Sequence, residues 1–130
     1  MSFKARMKVD GKEYTVLEAE YSLRQKTDPE GRPSSTTKGG IVRVVIEATD
    51  STSFAESACN SYLAKAVTIT YNKRDTESKM KEVTLSTAYI VGYTEKFKAN
   101  DETPMIEEII FSAHELKIGT AVHVNDWPDI

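Results

Sequence analysis

The chain has 130 residues, 39% of them hydrophobic, with 17 Lys+Arg against 20 Asp+Glu for a net charge of −3. That length makes one domain with a core of useful size. A mean hydropathy of −0.44 and no apolar run near the roughly 20 residues of a membrane helix argue against membrane insertion, and the acidic balance argues against a nucleic-acid partner.

The start alternates: Phe3, Ala5, Met7 and Val9 are separated by Lys4, Arg6 and Lys8. A period of two predicts a half-buried strand, and no apolar segment of signal-peptide type is present, so the chain is expected in the cytoplasm when made. Asp10-Gly11 is a strong hairpin signal. The next strand runs from about Lys12 to Leu23, with Tyr14 and Val16 on one face and Leu17, Ala19, Tyr21 and Leu23 on the other. That change of face predicts a bulge near Val16-Leu17.

A polar stretch follows from Thr27 to Gly40, holding Pro29, Pro33, Gly31, Gly39 and Gly40. It is longer than most connections in compact domains, and loops of that length are usually functional or disordered. Asp28-Pro29-Glu30-Gly31 is a tight-turn signal. A flexible surface loop and an arm that touches another molecule are equally open at this point.

Ile41 to Glu47 is β-branched and reads as a strand. Ser53-Phe54-Ala55-Glu56 matches a capping box and predicts a helix to about Leu63. Its apolar stripe would be Phe54, Ala58 and Tyr62 with Ala55, Cys59 and Leu63 beside them, leaving Cys59 a small buried hydrophobe. Val67 to Tyr71 is another strand, Asn72 to Lys79 a hairpin tip, and the return strand puts Val83, Leu85, Tyr89, Val91 and Tyr93 on one face. After a turn at 100–104, the last long strand runs from Met105 to Ile118. There Ile109, Phe111 and Ala113 oppose Ile106, Ile110, Leu116 and Ile118, and Gly119 begins a tail. The fold class is mainly β: a small antiparallel barrel or sandwich over residues 1–130, with one short helix outside and a long extended loop. Strands apolar on both faces need cover from the helix or from a partner subunit.

Cys59 is the only cysteine, so no intrachain disulfide forms. His114 and His123 sit on separate segments without metal-site spacing. Glu107-Glu108 are adjacent, so on a strand they face opposite ways. No nucleophile, phosphate-loop or zinc-protease motif occurs. The reading is a non-enzyme with no cofactor and no metal. Charge is uneven: residues 99–130 carry one Lys/Arg and seven Asp/Glu, which suits either a solvated acidic face or a head-to-tail contact with a basic surface.

Several pieces together resemble a known family. They are Ser2-Phe3-Lys4-Ala5, Val9-Asp10-Gly11-Lys12-Glu13-Tyr14, Tyr21-Ser22-Leu23, Asp28, Gly31-Arg32-Pro33-Ser34-Ser35 and Lys38-Gly39-Gly40. Cys59-Asn60-Ser61, Lys73-Arg74-Asp75, Ala88-Tyr89-Ile90-Val91 and Ser112-Ala113-His114-Glu115 follow in order. This is similar to the tube protein of type VI secretion, the hemolysin-coregulated protein, in its Bacteroidetes form. The resemblance implies a small β-barrel with a flanking helix, homo-hexameric rings that stack into a tube, and effector proteins carried in the lumen. It also implies a contractile sheath and a spike protein as partners, and export by the apparatus without a cleaved signal. It implies that the loop meets a neighbouring subunit or ring through Asp28, Pro29, Gly31, Arg32, Pro33, Ser34, Ser35 and Lys38, with Arg32 as anchor and Asp28 holding the turn. The alternative is a stand-alone barrel binding a small ligand or peptide; a small hydrolase comes third.

Overall fold

The computed structural model describes residues 3–73 and 78–127. β1 (Phe3–Val9) and β2 (Lys12–Tyr21) form an antiparallel hairpin. Asp10 and Gly11 both take positive φ, 53° and 78°, the geometry whose twist matches flanking strands. The register of β2 against β3 (Ile41–Glu47) slips between Val16 and Glu18, at the bulge the change of face predicts. β4 (Ala64–Lys73), β5 (Lys79–Phe97) and β6 (Met105–Ile118) continue the antiparallel run. The β4–β5 hairpin is present, but residues 74–77 of its expected tip, with Arg74 and Asp75, lie outside the described residues.

The sheet order is β3-β2-β1-β4-β5-β6, and β3 also pairs with β6. The sheet therefore closes into a six-stranded barrel, which decides between the barrel and the sandwich that the sequence left open. Closure removes the open edges that an isolated sheet would present. The interior is filled: Met7, Val42, Val44, Ile46, Val67, Ile69, Val83, Leu85, Ile109 and Phe111 are fully buried. Truncating Phe111 to alanine would cost about 3–5 kcal/mol, the usual range for a buried aromatic.

Four sequence expectations are corrected. First, α1 spans only Ser53–Ala58. Thr52, not Ser53, stands at the N-cap, and no side chain caps a backbone N–H there. Thr52 Oγ1 donates to Glu56 Oε2 at 3.1 Å, while Ser53 Oγ accepts from Ser51 at 3.2 Å. The helix stops before Asn60-Ser61, both weak helix formers, so the predicted stripe never assembles. Phe54 is buried against Tyr14, ring centroids 4.8 Å apart. Tyr62 is 89% exposed, and Cys59 is exposed rather than buried.

Second, β5 does not keep one face inward. Val83 and Leu85 are buried, and then Ala88, while Val91 is 59% exposed. The cause is Thr87, whose φ of 50° throws the alternation by one residue. Left-handed backbone at a β-branched residue costs roughly 1–3 kcal/mol and stands only where its surroundings hold it. Third, β6 switches in step: Ala113 and Leu116, three apart, are both buried, so Leu116 joins the face predicted to oppose it. Fourth, the tail folds back. Ala121–Val124 forms β7, which pairs with β6 through Ile118↔Ala121 and Glu115↔Val124.

Candidate functional site

β6 offers one edge to two partners. Its first half pairs with β3, from Glu47↔Ile106 to Ile41↔Ser112, and its end pairs with β7. Between them Ala113 N donates to Gly40 O at 2.8 Å, and Asn125 N donates to His114 O at 2.8 Å. The long polar segment between β2 and β3 is rooted at this fork.

That segment is an ordered arm. Its two sides pair at Arg24↔Lys38 and Thr27↔Pro33. Arg24 N donates to Lys38 O at 2.9 Å, Lys38 N to Arg24 O at 2.6 Å, and Ser34 N to Lys26 O at 2.7 Å. Ser35 Oγ accepts from Lys26 N at 2.9 Å, and Gln25 Nε2 donates to Ser35 O at 3.0 Å. At the tip Asp28 organises the turn. Its Oδ1 accepts from Glu30 N at 3.0 Å and Arg32 N at 2.9 Å, and its Oδ2 accepts from Arg32 Nε at 2.9 Å. The Arg32 backbone N–H, joined by the Glu30 N–H and the Arg32 side chain, holds the Asp28 carboxyl below its usual range against the opposing effect of burial. Gly31, at φ 90°, closes the loop as only glycine does without strain.

All eight residues expected at a contact lie on this one arm. Pro29, Gly31, Arg32, Pro33, Ser34 and Lys38 are exposed, and Asp28 and Ser35 are half-buried. Arg32 is engaged within its own tip, to Asp28 and to Glu30 at 3.4 Å, yet its side chain stays 72% exposed. A guanidinium held in place presents its donors already oriented, which lowers the entropy cost of a contact.

The sequence reading missed the arm's root. Asn125 Nδ2 donates to Gly39 O at 3.1 Å and to Ala113 O at 3.0 Å. A Cβ on Gly40, at φ 96°, would stand 2.7 Å from Ala113 O, and one on Gly39 would stand 2.5 Å from Leu23 Cδ2. The Gly39-Gly40 doublet was the available signal; nothing in the sequence marks Asn125.

The outer wall divides in character. Arg6, Lys8, Glu13, Thr68, Thr70, Asn72 and Glu82 line a shallow polar hollow of about 400 Å³. Elsewhere Ile41, Val91, Val122 and Val124 are each more than half exposed. Trp127 stacks near Tyr89 and His114, with centroids 6.0 and 5.4 Å away. Arg43 pairs with Glu108 at 2.6 Å on the same wall. His123 Nε2 lies 3.0 Å from Asn125 Oδ1. Among the described residues no group of three or more His, Cys, Asp or Glu could hold a metal, and no helix is long and apolar enough to cross a membrane.

A filled barrel that carries an ordered arm and leaves apolar side chains on its outer wall has the makings of an assembly subunit. The family model for the hemolysin coregulated protein Hcp (TssD) matches residues 1–128. Hcp1 from Flavobacterium johnsoniae is 36% identical and superimposes with a TM-score of 0.90, over 94% of this chain and 99% of that one. Hcp1 of E. coli EAEC 042 shares the fold at 15% identity and TM-score 0.74, covering 98% and 99%. The anti-feeding prophage baseplate contains a chain alike in fold at 12% identity and TM-score 0.57, covering 89% and 91%. Nothing matches among curated proteins. The chain belongs to the hemolysin-coregulated protein family of type VI secretion, a family of structural tube proteins rather than of enzymes. The Flavobacterium likeness agrees with the Bacteroidetes form suggested by the sequence.

Proposed function

We propose that this chain is the repeating subunit of a type VI secretion tube. Six copies close into a ring, rings stack, and the tube carries effector proteins in its lumen as a contractile sheath drives it out of the cell behind a spike. Family membership over residues 1–128 carries this reading. Two physical features support it. The arm is ordered by its own hydrogen bonds before it meets anything, so docking need not order it. The exposed Ile41, Val91, Val122 and Val124 are apolar surface that identical neighbours would cover.

Ring closure and stacking both call for contacts between unlike surfaces, since head-to-tail interfaces close into rings or continue into filaments. The arm residues Asp28, Pro29, Gly31, Arg32, Pro33, Ser34, Ser35 and Lys38 make the ring-to-ring contact, with Arg32 the chief side chain. Export through the apparatus follows synthesis in the cytoplasm. The stand-alone binding barrel is disfavoured, because the interior where such barrels hold a ligand is occupied by Phe111, Met7, Ile46 and Leu85.

Negative-stain electron microscopy of the purified protein tests the reading. Six-fold rings, and stacks of them at high concentration, are expected. A field of particles the size of one barrel would refute it.

A further inference from the structure

We propose that Asn125 is a positioning residue for the arm: by tying Gly39 to Ala113, it makes the C-terminal strand set the direction in which the arm leaves the barrel. The assignment builds on the reading of the arm as the ring-to-ring contact and names what governs it.

The geometry is specific. The arm returns to the barrel through Lys38, Gly39 and Gly40. Lys38 is the last arm residue paired across to Arg24, and Gly40 is the first buried one. Asn125 Nδ2 divides its two N–H groups between Gly39 O and Ala113 O, at 3.1 and 3.0 Å. One amide thus joins the arm to β6. The orientation of that amide is fixed from behind, where Oδ1 faces His123 Nε2 at 3.0 Å. A flipped amide would set its oxygen against two carbonyls, which an acceptor cannot satisfy. The Asn125 backbone is itself fixed, its N–H donating to His114 O at 2.8 Å.

The approach is close at both glycines, and at Gly40, where φ is 96°, backbone stands in the way of any side chain. A side chain on Gly40 would meet the Asn125 amide and Ala113 O, and one on Gly39 would meet Leu23 and, at 3.3 Å, His123. Gly39, on the arm's returning side, therefore lies close both to Leu23 on the outgoing side and to the β7 residue His123. The barrel closes through β3–β6 pairing without Asn125, so the clasp is additional to the fold. Its effect falls on the arm, whose remaining hydrogen bonds are chiefly internal.

Two variants test this, Asn125→Ala and the isosteric Asn125→Asp, which keeps the shape and loses both donors. The readout is amide exchange at Arg24 and Lys38 in the arm, against Ile109 and Phe111 in the barrel, together with ring stacking by electron microscopy. In both variants the arm amides are expected to exchange about tenfold faster, the factor equivalent to about 1.4 kcal/mol. Barrel amides should be unchanged, rings should persist, and stacks should be fewer. Parent-like protection of the arm in both variants would overturn the proposal. So would a loss of protection in barrel and arm together, which would make Asn125 a general fold contact. If parent rings never stack, the reading of the arm as a ring-to-ring contact fails separately, and the exchange comparison still decides whether Asn125 sets the arm.

Discussion

Tyr93 donates its hydroxyl to Glu107 Oε1 at 2.6 Å inside the barrel wall, and the carboxylate it serves is only 1% exposed. Among the described residues Glu107 Oε2 has no hydrogen-bond partner. Burial, then the bond to Glu107, pushes the Tyr93 phenol up, so the hydroxyl keeps its proton and stays a donor. Tyr93→Phe strips this carboxylate of that donor and should destabilise the subunit by about 1–3 kcal/mol, the cost of a buried polar group left unpaired. Adding Glu107→Leu should recover most of the loss, because removing both partners of a buried polar pair can be nearly neutral. Urea unfolding of the two single variants and the double variant measures this. Additive losses would show that the pair does not act as one unit.

Gly40→Ala should be among the most costly single-methyl changes in the chain. The new Cβ would lie 2.7 Å from the Ala113 backbone oxygen, at a φ of 96°. Strain of roughly 1–3 kcal/mol from the backbone adds to roughly 1–3 kcal/mol from overpacking. Thermal unfolding should show a clear drop in Tm. Gly119→Ala, at φ 59° with open space around its Cβ, should cost less.

The arm tip should loosen in acid. The Asp28 carboxyl is held below the ordinary aspartate range, chiefly by the Arg32 backbone N–H. A carboxylate whose folded pKa is depressed contributes stability above its unfolded value and loses it as pH falls through the folded one. The Glu30 and Arg32 amide resonances should therefore titrate together, with a shared midpoint below the ordinary aspartate value of 3.8. A shared midpoint at or above that pH would contradict the hydrogen-bond account.

Arm and wall should separate in mutants. Arg32→Ala with Pro33→Gly should weaken stacking while the subunit stays folded and rings persist. Val91→Glu, at a residue 59% exposed, should leave the barrel folded and prevent rings by placing a charge on the apolar wall. Circular dichroism with electron microscopy distinguishes the two outcomes. If the acidic C-terminal segment meets basic residues of a neighbour, association should also weaken as salt rises, since exposed charges are screened within about 8–10 Å at physiological ionic strength.

Much of the barrel was legible because its strands obey a two-residue period. Met7, Val9, Val42, Val44, Ile46, Val67 and Ile69 all face the core, as alternation requires. Reading failed where the period breaks. Thr87 takes positive φ in a Ser-Thr-Ala stretch that carries no glycine to announce it. The helix reading erred through tertiary override: Phe54 docks on Tyr14, and one anchored turn suffices. β7 was hidden by its length, although Gly119-Thr120 between apolar residues was a usable hairpin signal. The arm's turn chemistry at Asp28 and Gly31 could be read locally. Its root could not, because Asn125 lies 86 positions from its partner Gly39, and long-range side-chain bonds leave no local pattern.

The central claim is that this barrel is completed by copies of itself. Light scattering on the purified protein across a wide concentration range tests it most directly. The account predicts a particle of about six times 14.5 kDa. A mass that stays at 14.5 kDa at the highest concentration would contradict it.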